Sequence, residues 1–213
     1  MPVRKAWDHA IELKEGFTPK KGKVYSLSRE EREEVQAFVE DQLKKGYIRP
    51  SKSSQTSPVH FVAKKDGKRR MVQDYRHINQ WTVKNRYPLP LIADILDGVG
   101  KRKVFTKLDL RWGYNNVRIK GDEWKAAFTM HIGAYEPTVM YFGLTNSPAT
   151  FQTIMNDLFR DLINQGDTAT FIDDILVATD TEEGHNEHRR FIKDFARIAA
   201  PLHMLVRKEQ KWK

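Results

Sequence analysis

Two short apolar runs, 169–172 and 175–178, flank the pair Asp173-Asp174. Runs of four such residues are too short for independent helices, and a polar break between them reads as the turn of a β-hairpin. Any fold of this chain must therefore bring two adjacent carboxylates out between strands whose neighbours belong in a core. Carboxylates in such a place are desolvated and repel each other unless a cation or donor offsets their charge. A third acid, Asp109, lies within Val-Phe-Thr-Lys-Leu-Asp-Leu (104–110), which also has strand composition. An Asp-Asp pair between strands is by itself an ordinary polar turn. Three carboxylates at strand ends, however, make a hard-oxygen set that suits Mg2+, which binds through a few carboxylates and completes its shell with water and phosphate. Two such ions can hold the attacking and leaving oxygens of an in-line phosphoryl displacement.

Elements around this set follow from local signals. Ser28 with Glu31 is a capping box, and Val35, Phe38, Val39 and Leu43 recur at helical spacing until Lys44, Lys45 and Gly46, which predicts a helix over 29–45. Strand-like residues 59–63 and 70–73 flank an Asp66-Gly67 turn, a second hairpin signal. Leu91, Ile92, Ile95 and Leu96 predict a short helix ended by Gly98 and Gly100, and residues 117–119 and 126–130 read as strands. Ser147-Pro148 reads as an N-cap followed by proline at the first helical position, opening a helix through Phe151, Ile154, Met155, Leu158, Leu162 and Ile163 to Gly166. Residues 1–27 show no period and read as an extended lead-in.

The 213 residues carry 37 Lys plus Arg against 28 Asp plus Glu, a net charge of +9, with 39% hydrophobic content. That is too apolar for a disordered basic tail. The excess is local: residues 44–86 hold twelve basic residues and two acids, a net of +10, so the rest sums to −1. The block is interleaved with Tyr47, Phe61, Tyr75, Trp81 and Tyr87, as suits a phosphate backbone whose bases can stack on rings; a solvated face is the plainer alternative. The chain has no cysteine, which excludes disulfides, thiolate metal clusters and a Cys nucleophile. No window approaches the roughly eighteen apolar residues of a membrane span, and the N-terminus has no signal-peptide core, so an intracellular protein without a membrane partner is expected.

Seven ordered blocks over residues 8–188 resemble the reverse transcriptase of gypsy-type long-terminal-repeat retrotransposons. They are Asp-His-Ala-Ile-Glu-Leu (8–13), Lys-Lys-Gly-Tyr-Ile-Arg-Pro-Ser (44–51), Asp-Tyr-Arg-His-Ile-Asn (74–79), Asn-Arg-Tyr-Pro-Leu-Pro (85–90), Lys-Leu-Asp-Leu-Arg-Trp-Gly-Tyr (107–114), Phe-Gly-Leu-Thr-Asn-Ser-Pro-Ala-Thr-Phe-Gln (142–152) and Phe-Ile-Asp-Asp-Ile-Leu (171–176). The resemblance implies an α+β right-hand polymerase fold, with fingers and an antiparallel palm sheet packed on helices. Residues 28–103 would be mainly fingers with the first palm elements, and residues 104–190 the palm. The implied activity is RNA-directed DNA polymerisation, in which dNTPs are added to a primer 3′-hydroxyl on an RNA or DNA template. Two Mg2+ ions would serve, with Mn2+ as a substitute, in a cytoplasmic particle.

The resemblance also implies residue roles. Asp109, Asp173 and Asp174 would be catalytic and would ligate the metal with the Leu110 carbonyl, Asp174 more weakly. Lys64 and Arg70 would hold the triphosphate, with Lys65 as the alternative to Lys64 across a one-residue shift. Tyr114 would pack under the sugar and reject a 2′-hydroxyl, and Phe142 would line the nucleotide pocket; either ring is otherwise ordinary core. Lys65, Arg76, Arg86 and Phe171 would contact nucleic acid. Phe171 stands where the family signature has Tyr, which keeps the ring and loses the hydroxyl. His185 and His188 read as a surface helix start, and Trp81 and Trp112 as packing residues. Beyond Arg189-Arg190 the family's primer grip and thumb pattern is not found, so residues 191–213 read as a helical tail resembling the start of the connection region. On this reading a catalytically incompetent remnant that only binds nucleic acid is the alternative to an active enzyme.

Overall fold

The computed structural model describes residues 1–63, 67, 69–110, 112–188, 190 and 210–212. Two compact units emerge, and each is discontinuous in sequence: residues 1–84 with 117–147, and residues 85–116 with 148–213. The expected single stretch 104–190 is thus divided, because 117–147 packs with the N-terminal unit.

In the first unit, helix α1 (Arg29–Lys45) forms as its caps dictate. Ser28 accepts from the Glu31 N–H while the Glu31 carboxylate accepts from the Ser28 N–H, and Gly46 closes the helix at φ +71°. The helix buries Val35, Val39 and Gln42 against a five-stranded sheet. The strands are β1 (Ile48–Pro50), β2 (Ser57–Ala63), β3 (Arg69–Gln73), β5 (Phe128–Met130) and β6 (Gly133–Pro137), in the order β1-β6-β5-β2-β3, with only β2·β5 parallel. The predicted β2–β3 hairpin forms, and a short helix α2 (Arg76–Trp81) follows it. Ile11, Val59, Tyr75, Ile78, Phe128 and Val139 centre the core. Residues 1–27 are more ordered than expected. His9 bridges Ile119, Leu13 bridges Thr82, and the Ile11 N–H donates to Asp122. Residues 117–119 make only isolated bridges, and the 126–130 run begins in a 3-10 turn (Glu123–Ala126).

The second unit carries a four-stranded antiparallel sheet, β7-β8-β4-β9, from β4 (Val104–Asp109), β7 (Thr168–Phe171), β8 (Asp174–Thr179) and β9 (Gln210–Trp212). Its helices are α3 (Ile92–Val99), α4 (Ser147–Leu158), α5 (Arg160–Asn164) and residues 182–188. Helix α3 runs through Gly98 and ends at Gly100. Helix α4 starts on the last residue of the first unit. The single helix predicted to reach Ile163 is interrupted at Phe159, whose φ −108° and ψ 17° divide it into α4 and α5. The Ser147 hydroxyl donates to the Tyr141 carbonyl, which ties the start of α4 to the preceding loop.

One further expectation needs correction. His185 is not at a surface: it is 1% exposed, with Nε2 2.7 Å from the Thr106 hydroxyl and Nδ1 2.9 Å from the Thr179 hydroxyl. It locks helix 182–188 to the sheet. Trp112 is 52% exposed with φ +60°, so about half of it is open to solvent, whereas Trp81 packs edge-on against Phe17. The expected helical tail lies outside the described residues except at 210–212, which form a strand on β4. Among the described residues, no helix is long and apolar enough to cross a membrane.

Candidate functional site

Strand alternation builds the centre of the site. Thr106 and Leu108 of β4 are buried, while Lys107 and Asp109 point to the open face; on β8, Ile175 and Val177 are buried. The β4–β8 register places Asp109 directly opposite Asp174. Residues directly opposed across a strand pair have Cβ atoms about 5 Å apart and share a face of the sheet. Asp173 joins them from the two-residue link between β7 and β8, and its carbonyl accepts from the Leu110 N–H at 2.9 Å. The sequence-predicted carboxylates thus gather at one strand end.

The turn itself is strained. Ile172 has φ +54°, a left-handed conformation that is costly for a β-branched residue. Gln152 on α4, fully buried, holds it in place. Its Oε1 accepts from the Ile172 N–H at 2.7 Å, and its Nε2 donates to the Thr170 carbonyl, the Thr170 hydroxyl and Asn156 Oδ1 at 3.2, 3.1 and 2.8 Å. Asn156 in turn donates to the Tyr87 hydroxyl at 2.8 Å. In the sequence, Gln152 stands only as the last residue of the 142–152 block. A buried polar residue on the core face of a predicted helix, four residues before another amide, was the available signal.

Burial pushes the Asp173 carboxyl up, with Asp174 and Asp109 adding to the rise, while a backbone hydrogen bond and Lys107 oppose it. Lys107 Nζ lies 2.8 Å from Asp174 Oδ2, and that bond, reinforced by the charges of all three acids, raises the lysine. In kind, the donors suit a hard divalent cation: three carboxylates of like charge, with burial disfavouring the charged form of Asp173. Among the described residues, no group of three or more His, Asp or Glu side chains is close enough together to hold a metal ion as placed.

Tyr114 stands in the 3-10 turn Gly113–Asn116, 4% exposed, with its ring 5.3 Å from that of Phe151. Burial, then the charge of Asp173, pushes its hydroxyl up to about 12. Close approach explains the preceding glycine, since a Cβ on Gly113 would lie 2.8 Å from Phe151 Cζ.

The remaining predicted residues lie apart from the carboxylates in sequence and, in part, in the other unit. There Arg70 on β3 is exposed, and its guanidinium carbon sits 5.5 Å from the ring centroid of Phe142, itself 46% exposed. The loop carrying Phe142 is pinned by Asn79, which donates to the Gly143 carbonyl at 2.7 Å and accepts from the Thr145 N–H at 2.9 Å. Arg76 is engaged bidentately by Asp74 at 2.8 and 2.6 Å, so its expected nucleic-acid contact must compete with an internal pair. Arg86 is exposed and Phe171 half-buried in the second unit. Lys64 and Lys65 lie outside the described residues.

A family profile described as reverse transcriptase (RNA-dependent DNA polymerase) matches residues 62–209. The Tf2-3 and Tf2-7 transposon polyproteins of Schizosaccharomyces pombe are 41% and 40% identical over 147 residues, 68% of this chain and 11% of each of theirs. The chain thus spans about a tenth of these relatives' length. Among solved structures, the protease-reverse transcriptase of prototype foamy virus (a CSH mutant) matches with TM-score 0.81 and 29% identity, over 92% of this chain and 26% of that one. A foamy viral protease-reverse transcriptase in complex with an RNA/DNA hybrid matches with TM-score 0.81 and 26% identity, over the same shares. The expected α+β polymerase fold is borne out by these similarities.

Proposed function

The chain belongs to the reverse transcriptase (RNA-dependent DNA polymerase) family, and from that premise we propose that it extends a primer 3′-hydroxyl with dNTPs on an RNA or DNA template. The observation that carries the reading is the register that sets Asp109 opposite Asp174, with Asp173 delivered beside them by a strained turn. Asp109 and Asp173 would hold two Mg2+ ions, with the Leu110 carbonyl assisting and Asp174 binding more weakly. Bound there, the ions would supply a lowered pKa for the attacking hydroxyl and neutralisation of the phosphate charge.

The chain's own residues do the rest. Its carboxylates sit at the end of a rigid sheet, so the reacting oxygens would meet a fixed frame, and positioning is most of what phosphoryl transfer asks of a protein. Arg70 offers the triphosphate a planar fork of donors already held over Phe142, and Lys64 or Lys65 would add a point charge. Tyr114, braced by Phe151, leaves no give beneath a sugar ring, so a 2′-hydroxyl would be refused for lack of room. Phe171, Arg86 and, on release from Asp74, Arg76 would touch primer or template. The solved foamy viral enzyme bound to an RNA/DNA hybrid supports such a partner for this chain.

Primer extension on an RNA template by the 213-residue chain tests the proposal, with Asp173→Asn as control. Extension that requires Mg2+ and disappears in Asp173→Asn supports it. Extension that survives the substitution refutes the catalytic assignment, and template binding without any extension identifies an incompetent remnant.

A further inference from the structure

The proposed reaction makes no use of Lys107, which stands at the carboxylate centre. It stands two residues before Asp109 on the same open face of β4, and its direct partner across the sheet is Leu176, two residues beyond Asp174. That makes Asp174 its diagonal neighbour, a separation that a long side chain spans. Lysine does span it, with Nζ 2.8 Å from Asp174 Oδ2. A cation of the protein's own thus rests on a carboxylate that would ligate a metal.

We propose that Lys107 is a built-in counter-ion of the carboxylate centre, which competes with the divalent cation for Asp174 and must swing away before that carboxylate can ligate. The inference rests on the metal-binding reading of the three carboxylates. Its physical basis is like-charge repulsion: three carboxylates at one strand end destabilise each other, and an ammonium among them offsets that. Release is easy. The Lys107 side chain is 52% exposed and Asp174 37% exposed, a setting in which an ion pair is weak, and the lysine head is readily rehydrated on its flexible stem. Lys107 and Asp174 also line a mainly apolar cavity of about 220 Å3 with Ile92, Ile95, Phe171 and Leu176, along which the methylenes can lie while the head stays in water. An arginine would fit this role poorly, because its fork holds a carboxylate bidentately and lets go less readily.

Direct Mn2+ binding to the full chain, read from the free-ion electron paramagnetic resonance signal, tests this without any turnover. Lys107→Met should tighten Mn2+ binding about 3- to 10-fold, the worth of an exposed pair plus removal of the nearby positive charge. Lys107→Gln, with similar reach and no charge, should do the same if the methionine variant folds poorly. Lys107→Arg should weaken binding, and in an Asp174→Asn background the gain from Lys107→Met should shrink to the part due to the lost positive charge alone. Unchanged or weaker binding in both neutral variants overturns the inference while leaving the metal site standing, provided Asp173→Asn weakens Mn2+ binding. If Asp173→Asn binds Mn2+ as well as the wild type, the carboxylate reading fails and the role of Lys107 falls with it.

Discussion

Replacing Gln152 by methionine keeps the side-chain volume and removes its four hydrogen bonds, three of which tie α4 to Thr170 and Ile172 at the β7–β8 turn, while the fourth stays within α4. The Ile172 N–H loses its acceptor at 2.7 Å, and the Thr170 carbonyl and Asn156 lose the donor Nε2, while the Thr170 hydroxyl keeps its bond to Asn156 at 2.9 Å. A donor left without a partner costs about 1–3 kcal/mol and each lost bond about 0.5–1.5 kcal/mol, so the fold should lose about 2–4 kcal/mol. The loss falls where it matters, because the Ile172 N–H bond helps to hold a left-handed residue that costs about 1–3 kcal/mol to maintain. Urea unfolding measures the stability change. Steady-state primer extension should show kcat reduced with the dNTP KM nearly unchanged, as expected when a positioning residue shifts Asp173 and Asp174 without touching substrate. Gln152→Glu keeps the acceptor for Ile172 but sets oxygen against the Thr170 carbonyl and Asn156 Oδ1, so it should be no better. A loss below about 1 kcal/mol together with unchanged kcat would refute the assignment of Gln152 as the support of the turn.

Other outcomes follow from the same structure. Asp173 has a folded-state pKa raised above its ordinary value, so its contribution to stability is complete below that value and is lost as pH rises through the raised pKa. Asp173→Asn should therefore unfold at a higher temperature than the wild type at pH 7, an advantage that disappears on acidification below about pH 4. His9, 2% exposed, is held down to about 4 by burial despite the nearby Asp122. It is neutral in the fold, and its contribution is present above about pH 6.5 and lost as pH falls towards 4. Chemical denaturation at pH 7 and pH 4 should show a wild-type loss about 3 kcal/mol larger than that of His9→Gln. Gly113→Ala forces a Cβ to within 2.8 Å of Phe151 Cζ and should displace Tyr114, lowering the melting temperature and relaxing discrimination between dNTP and rNTP in primer extension. Phe142→Ala removes the ring beneath Arg70 and should raise the dNTP KM several-fold without a change in melting temperature, since Phe142 is 46% exposed.

Signals confined to a few consecutive residues were legible: the capping box at Ser28 and Glu31, the two hairpins and the strand around Asp109. Contacts between distant residues were not. The lead-in 1–27 has no period because its order comes from Asp122, Arg118 and Trp81, each more than sixty residues away. His185 looked like a surface residue because its two partners, Thr106 and Thr179, are small polar residues that mark no motif; only the β4–β8 pairing makes them adjacent. That pairing also explains why the carboxylates were easier to read than their support. A one-residue slip of β4 against β8 would exchange the faces of Leu108 and Asp109, burying a charge and exposing a core leucine. Burial of Thr106, Leu108, Ile175 and Val177 therefore determines that Asp109 meets Asp174, and the alternation that forms the core is the same pattern that assembles the site. What alternation does not encode is the turn between β7 and β8. Its geometry depends on one buried amide from α4, so the position of Asp173 is set by helix packing, whereas that of Asp109 and Asp174 is set by strand register.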